Sequence, residues 1–248
     1  MLKEIVIAIQ SWREAHRFII KYKLWKWIIF PGIIYTILFV ISMYFFGKFA
    51  TAVIEYLTDS VHLSDWIQKF QNSFLGFLFT FTGIILWLIL MFFYFSFFKH
   101  FWLIIGSPLF AYLSGKTEAI IEGRDHTLNL AELKKDAARG VRLAIRNCFL
   151  QTGYLIALIL LSLVPVVGWI TPIIALFMEC YYYGFSMLDY SFARNNFTRQ
   201  QSIHFIGRHK GLAIGNGIFF YLMHVVVIFA PAYAIIAATL SVRKVKNA

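Results

Sequence analysis

The chain reads NCFLQTGYLIALILLSLVPVVGWITPIIALFM from residue 147 to residue 178. These 32 residues contain no Asp, Glu, Lys or Arg. A straight helix of that length would measure about 48 Å, whereas the hydrocarbon of a bilayer is about 30 Å thick. Pro165, Gly168 and Pro172 interrupt the stretch, and a proline inside a helix removes a hydrogen bond and clashes with the preceding turn. The sequence therefore predicts a helical hairpin over 147–189 whose arms enter a membrane from one side.

Three further apolar stretches complete the predicted membrane segments. Residues 211–242 again lack Asp, Glu, Lys and Arg and are interrupted by Pro231, which predicts a second hairpin. Residues 27–47 and 70–98 have lengths that suit a single crossing, the second with some tilt. The predicted fold is thus an all-α polytopic membrane protein with two full transmembrane helices, two proline-broken helical hairpins and an N-terminal amphipathic helix.

Composition agrees with a membrane protein. The 248 residues are 60% hydrophobic and 14% charged, with a mean hydropathy of +0.71, whereas a soluble domain carries about 25% charged residues. These values exclude a soluble enzyme, a disordered chain and a collagen-like chain. The net charge is +11, but no nucleic-acid-binding module accompanies it, so nucleic acid is not an expected partner.

The distribution of charge predicts the orientation. All of the 23 Lys and Arg residues except Lys48 and Lys69 lie in segments that can be on one side of the membrane. This requires that the predicted hairpins, 147–189 and 211–242, enter the membrane and return to the same side. The positive-inside rule then predicts that both termini are cytoplasmic and that 1–248 forms a single integral membrane domain. The segments between the membrane elements are an amphipathic interfacial helix (1–26), a cytoplasmic amphipathic segment (99–146) and a basic loop (190–210). An ordinary solvated helix end is the alternative for 1–26.

A basic stripe marks the cytoplasmic segment. Lys135, Arg139, Arg142 and Arg146 recur at steps of four, three and four residues, which places them on one helical face. Asn129, with Glu132 three residues later, is a candidate cap for the start of this helix. Attraction to anionic lipid headgroups is the favoured interpretation of the stripe, and an anion-attracting vestibule or a partner surface is the alternative.

Catalytic and metal-binding patterns are missing from the sequence. It contains no GxSxG, HExxH, Walker or CxxC motif, and its seven histidines are scattered. Cys148 and Cys180 lie in apolar stretches and are interpreted as packing residues. No enzymatic activity, cofactor or metal site is therefore predicted.

Polar residues inside the apolar arms are the candidates for an internal path. Asn147 and Gln151 share one face of the first arm, Glu179 lies on the second, and Asn216 lies on the first arm of the later hairpin. An ionisable group inside a membrane is a functional-site candidate by default. For Glu179 a structural interpretation stays open beside the functional one: a protonated side chain hydrogen-bonded to Tyr182, Tyr183 or a neighbouring helix.

Five ordered motifs resemble one family along nearly the whole chain. They are IIFPGI at 28–33, SPLFAYLSGKTEAIIEG at 107–123, LVPVVGWITP at 163–172, LDY at 188–190 and APAYAIIAAT at 230–239. Their order and spacing are similar to those of the CysZ-like family, which groups bacterial sulfate permeases with etoposide-induced membrane proteins of the endoplasmic reticulum. Pro108, Glu118 and Asp189 occupy positions that match the family's motifs.

The resemblance implies an oligomeric inner-membrane permease or channel for sulfate or a related oxyanion. It also implies an anion-binding turn just before the first span, and the matching residues here are Lys23 and Lys26. Lys23 and Trp25 stand where the family has Gly and its first Arg, and lysine binds an oxyanion as a point charge. The expected partners are the bilayer, a small inorganic anion and further copies of the chain. A non-transporting scaffold or assembly factor that binds lipid or protein through its basic segments is the alternative function.

Overall fold

The computed structural model describes residues 1–60, 87, 90, 91, 94, 96, 98–125, 129–162, 170–223 and 229–246. Every regular element in these ranges is a helix, which confirms the predicted all-helical class. Eight helices within them have both ends defined: α1 (Leu2–Lys21), α2 (Lys26–Ser60), α3 (Ser107–Glu122), α4 (Leu130–Ser162), α5 (Thr171–Arg194), α6 (Arg199–Arg208), α7 (Lys210–Met223) and α8 (Ala230–Lys246).

Helix α2 is the apolar helix of this set. Among the described residues it is the one long and apolar enough to cross a membrane, over Lys26–Tyr56. Only 28% of its most apolar 18-residue segment is buried, whereas the core helix of a soluble protein is mostly buried. It continues beyond the predicted end at residue 47, because Lys48 is a good helix former and does not stop a helix. Most of the second predicted span, 70–98, lies outside the described residues.

The two predicted hairpins correspond to two pairs of packed helices. Helix α4 packs against α5, and α7 packs against α8. Pro172 and Pro231 each lie in the first turn of the second helix of a pair, where the missing N–H costs no helical hydrogen bond. The connecting segments 163–169 and 224–228, with Pro165 and Gly168, lie outside the described residues. Re-entrance into a membrane stays a prediction.

Two predicted boundaries differ from the structure. No break separates the cytoplasmic segment from the first hairpin arm, because α4 runs without interruption through residue 147. The predicted basic loop 190–210 contains the end of α5 and all of α6. Helix α6 begins with a capping box: Gln201 N–H donates to Thr198 Oγ1 and Thr198 N–H donates to Gln201 Oε1. This reciprocal cap satisfies two backbone donors and explains why a short polar helix forms here.

The described chain divides into two compact units. One is Ile37–Lys99, in which the Phe46 ring lies 5.0 Å from that of Tyr94 and the Tyr94 hydroxyl donates to the Ser42 carbonyl oxygen at 2.7 Å. The other comprises Met1–Thr36 and His100–Ala248. All of the candidate site residues lie in this second unit.

Helix α5 is the centre of the larger unit. It packs against α3, α4, α7 and α8, and nearly all its side chains from Tyr182 to Phe192 are buried. Glycines allow close approach to α7: a Cβ added at Gly184 would lie 1.9 Å from the Ala213 carbonyl oxygen, and one at Gly217 would lie 2.0 Å from that of Cys180. The α5 and α7 backbones are therefore in direct contact, and their polar side chains are brought close together.

Helix α1 covers α7 and α8 with its apolar face. Ala8, Trp12, Ala15 and Ile19 are buried in that contact, and His16 Nδ1 lies 2.8 Å from the Tyr233 hydroxyl. The amphipathic pattern of α1 therefore serves packing within the protein. The position of this helix at a membrane surface stays a prediction.

Candidate functional site

The turn between α1 and α2 presents the two predicted anion-binding lysines. Helix α1 ends in a Schellman motif: Lys23 N–H donates to the Ile20 carbonyl at 3.3 Å and Leu24 N–H to the Ile19 carbonyl at 3.1 Å. The motif places Lys23 in the left-handed region, at φ 53°. Lys23 and Lys26 are both exposed, and neither side chain is bonded to any residue that the structure describes.

A third cation lies beside this turn and was not predicted from the sequence. Lys116 of α3 places its Nζ 4.7 Å from the ring centre of Trp27 and 5.8 Å from that of Tyr112. Partial burial lowers the pKa of the Lys116 ammonium. The residue belongs to the SPLFAYLSGKTEAIIEG motif, 89 positions after Trp27, so only the tertiary structure shows that the two are neighbours.

Three of the four predicted path residues belong to one polar seam, defined as Asn147, Gln151, Glu179, Ser186 and Tyr221, of which the first four are buried and Tyr221 is half-buried. Asn147 Nδ2 donates to Ser186 Oγ at 3.0 Å. One helical turn further along α4, Gln151 Nε2 donates to one Glu179 carboxylate oxygen, and the Tyr221 hydroxyl donates to the other at 2.7 Å. The seam thus joins α4, α5 and α7 through side-chain hydrogen bonds.

The hydrogen bonds of Glu179 match one of the options in its structural interpretation. They come from Gln151 and Tyr221, both on neighbouring helices, which was the alternative to Tyr182 and Tyr183 on its own helix. Glu179 is 4% exposed and Gln151 is fully buried. The buried, hydrogen-bonded geometry of the structural interpretation is therefore present, with both donors on neighbouring helices.

Asn216 is not brought into the seam. Its Nδ2 donates to the Leu212 carbonyl oxygen at 2.9 Å and lies 3.4 Å from Ser241 Oγ of α8. Its buried Oδ1 accepts no hydrogen bond from the described residues. Asn216 therefore faces α8. The hydrophobic periodicity of the sequence could not show this, because the neighbouring faces of α7 are both apolar.

Asp189 is the anion of a buried ion pair with Arg139. Arg139 Nε donates to Asp189 Oδ2 at 3.0 Å and Nη2 donates to Oδ1 at 2.8 Å. The same guanidinium also donates to the Phe197 carbonyl oxygen and to Ser202 Oγ. The pair ties α4, α5 and α6 together, so the predicted role of Arg139 in a lipid-facing stripe requires correction: its charge is already compensated inside the protein.

The other two family-motif residues are structural in their contacts. Pro108 is exposed in the first turn of α3. Glu118 accepts a hydrogen bond from Asn195 Nδ2 at 2.6 Å, and Lys246 Nζ donates to Asn195 Oδ1 at 2.7 Å. Burial raises the pKa of Glu118, and the bond from Asn195 opposes this shift. This chain of contacts fixes the ends of α3, α5 and α8.

A basic cavity of about 940 Å³ lies beside the Arg139–Asp189 pair, between α4 and the start of α6. Its cationic lining residues are Arg124, Lys135, Arg139, Arg142, Arg194 and Arg199. Its two acids, Glu132 and Asp136, both lie close to Arg194, at 3.2 Å and 3.1 Å. Burial raises the pKa of Asp136, while Arg194 and Arg139 lower it. The cap at the start of α4 is as predicted, with Asn129 Oδ1 accepting from Ala131 N–H at 3.0 Å.

Comparison with known protein families gives one match. The model of the family described as sulfate transporter CysZ/etoposide-induced protein 2.4 matches residues 11–234. No curated protein matches the chain.

Proposed function

The chain belongs to the sulfate transporter CysZ/etoposide-induced protein 2.4 family, and on that premise we propose that it is a permease or channel for sulfate or a related oxyanion. The family description names a sulfate transporter beside an etoposide-induced protein, which favours membrane transport over an enzymatic activity. The proposed location is a bacterial inner membrane, with both termini in the cytoplasm and with further copies of the chain as partners.

Exposed apolar side chains support insertion of the hairpin arms. They lie along the C-terminal half of α4 and at the start of α5, and include Phe149 at 76%, Leu160 at 63% and Ile173 at 57% exposure. Leu222, at the matching end of α7, is 63% exposed. Each large apolar side chain transferred from water to lipid contributes about 1.5–3 kcal/mol. Exposed large apolar side chains along successive helices are typical of a membrane contact.

The polar seam is the observation that carries the transport proposal. Its side chains are buried, apart from the half-buried Tyr221, and the outer faces of the same arms are apolar. Polar residues along an internal path in membrane proteins have this arrangement. An oxyanion accepts hydrogen bonds, and the seam contains four donor groups: the amides of Asn147 and Gln151 and the hydroxyls of Ser186 and Tyr221. These groups donate to other protein groups in the structure, so in the proposed mechanism they turn toward the anion as it passes.

Glu179 sets a condition on this path. An ionised carboxylate repels an anion, so in the proposed mechanism Glu179 is protonated while the anion passes. The hydrogen bonds from Gln151 and Tyr221 fix the position of the side chain. Glu179 is therefore proposed to limit the rate of anion passage.

The turn between α1 and α2 that carries Lys23 and Lys26, called the lysine turn below, is proposed to collect anions. Lys23 and Lys26, with Lys116 nearby, provide point charges that raise the local concentration of a divalent oxyanion. Their charge effect is long-ranged at low ionic strength and is screened at physiological salt.

The proposal is tested by influx of radiolabelled sulfate into proteoliposomes that contain the full chain. Replacing Lys23 and Lys26 by Gln is expected to lower the initial rate at low sulfate and low salt by roughly tenfold, and by less as salt rises. Replacing Lys3 and Lys134, two other exposed lysines, by Gln is the matched control with the same change in net charge. Equal losses in both variants would contradict collection at the turn, and wild-type flux equal to that of empty vesicles would favour a non-transporting scaffold.

A further inference from the structure

The basic cavity contains more positive charge than its own acids compensate. Arg194 lies close to both Glu132 and Asp136, and Arg139 is paired with Asp189. Arg124 contacts Glu122. Three lining cations are left over, Lys135, Arg142 and Arg199, and within the described part of the chain they make no hydrogen bond or ion pair. Because Arg194 neutralises only one of its two acids, one acid charge offsets one of these three cations, and the lining keeps a net positive charge that attracts a multiply charged anion.

The position of the cavity on α4 indicates what kind of anion reaches it. Lys135, Arg139 and Arg142 follow one face of this helix, and exposed apolar side chains begin immediately afterwards, at Ile145 and Phe149. Phe149 is seven residues, or about 10 Å along the helix, beyond Arg142. The cavity therefore lies at the boundary between the polar and the apolar parts of α4, which is the depth of lipid headgroups if the apolar ends of α4 and α5 are in lipid.

The chemistry of the lining favours phosphate. The guanidinium groups of Arg142 and Arg199 present planar forks that match phosphate oxygens in a bidentate manner, and Lys135 adds a point charge. Basic pockets on the cytoplasmic side of membrane proteins bind headgroups that carry several phosphate charges. A cavity of about 940 Å³ is in the size range of small-ligand sites, roughly 300–1,000 Å³.

We propose that the basic cavity is a binding site for the phosphates of an anionic phospholipid headgroup, held by Lys135, Arg142 and Arg199. The site is distinct from the polar seam and from the lysine turn, so it does not depend on the proposed transport. This site differs from the four-residue basic stripe predicted from the sequence. Arg139 is paired with Asp189 and Arg146 donates to Asn147, so neither is part of the site. Arg199 of α6 also lines the cavity and is added to it.

The test measures binding of a fluorescent cardiolipin to the delipidated full chain in micelles of a neutral detergent. Replacing Lys135, Arg142 and Arg199 together by Gln is expected to weaken binding roughly 100-fold, since each basic residue contributes about one decade or less. The control variant replaces Lys3, Arg13 and Arg17 of α1 by Gln, which removes the same charge from another exposed surface. The control is expected to stay within about twofold of the wild type.

Two further binding measurements distinguish a lipid headgroup from a free phosphate. A fluorescent phosphatidylcholine is expected not to bind, and inorganic pyrophosphate is expected to compete only weakly, because it lacks the acyl chains that fix a headgroup at this depth. Equal losses in the triple variant and the control, or pyrophosphate binding as tight as that of cardiolipin, would overturn the lipid assignment. The single variant Arg142→Gln, whose side chain is exposed, provides the same comparison with the least change to the fold.

Discussion

Removing Arg139 should destabilise the protein strongly, because its partner is a carboxylate with almost no access to solvent. Asp189 is 1% exposed, and it receives two hydrogen bonds from the Arg139 guanidinium. In Arg139→Leu the carboxylate would stay buried without a cation, and the Phe197 carbonyl and Ser202 would lose a donor. Breaking a buried pair from one side costs about 3–5 kcal/mol, which sets the expected loss in the free energy of unfolding.

Removing the charge of Asp189 should cost less free energy of unfolding than removing Arg139. In Asp189→Asn the Arg139 side chain is 17% exposed and keeps its contacts with Phe197 and Ser202, so we expect a loss of about 2 kcal/mol. The double variant Arg139→Leu, Asp189→Asn combines the same two substitutions, removes both charges and should lie within about 2 kcal/mol of the wild type. With about 4 kcal/mol for Arg139→Leu and about 2 kcal/mol for Asp189→Asn, the double-mutant cycle should therefore give a coupling energy of about 4 kcal/mol.

The assay is reversible unfolding in mixed micelles by sodium dodecyl sulfate, followed by tryptophan fluorescence. Arg142→Leu is the matched control, because Arg142 lies three residues further along the same helix, is exposed and is bonded to no described residue; its cost should be below about 0.5 kcal/mol. A loss below about 1 kcal/mol for Arg139→Leu, or additive costs in the double variant, would refute a buried, coupled pair.

Three other features of the structure are each tested by substitution. Lys23→Gly should raise the midpoint of unfolding relative to Lys23→Ala, since glycine relieves about 1 kcal/mol at a left-handed position; equal midpoints would contradict the Schellman turn. Gly217→Ala should cost at least about 3 kcal/mol in unfolding free energy, because its Cβ would meet the Cys180 carbonyl oxygen at 2.0 Å, whereas Gly153→Ala, in open space on α4, should be neutral or stabilising. Glu179→Gln should raise sulfate flux several-fold by removing a negative charge from the path, and a fall in flux would count against the seam as that path.

Helices could be predicted from the sequence because their signals are local. The charge-free stretches gave α2 and α7, the prolines marked the starts of α5 and α8, and Asn129 capped α4 as its spacing indicated. Helix α6 was missed because it is short and polar, although Thr198 and Gln201 have capping-box spacing. A search for that pattern outside apolar runs would have found it.

The pairing of polar side chains could not be predicted in the same way. Periodicity assigns a residue to a helix face but does not identify the residue on the neighbouring helix. Glu179 meets Tyr221, 42 positions later, and Arg139 meets Asp189, 50 positions later. Both contacts depend on close packing around α5. The glycines permit this packing, but they do not determine which side chains pair.

The most direct test of the proposed function is the initial rate of radiolabelled sulfate influx into proteoliposomes, compared with protein-free vesicles. The proposal predicts wild-type influx well above the protein-free rate, and strongly reduced influx for Gln151→Leu, which removes an amide from the seam. Phe149→Leu, on the exposed face of the same helix, should keep wild-type influx. Wild-type influx equal to that of protein-free vesicles, with folding verified in the same preparation, would contradict sulfate transport by this chain.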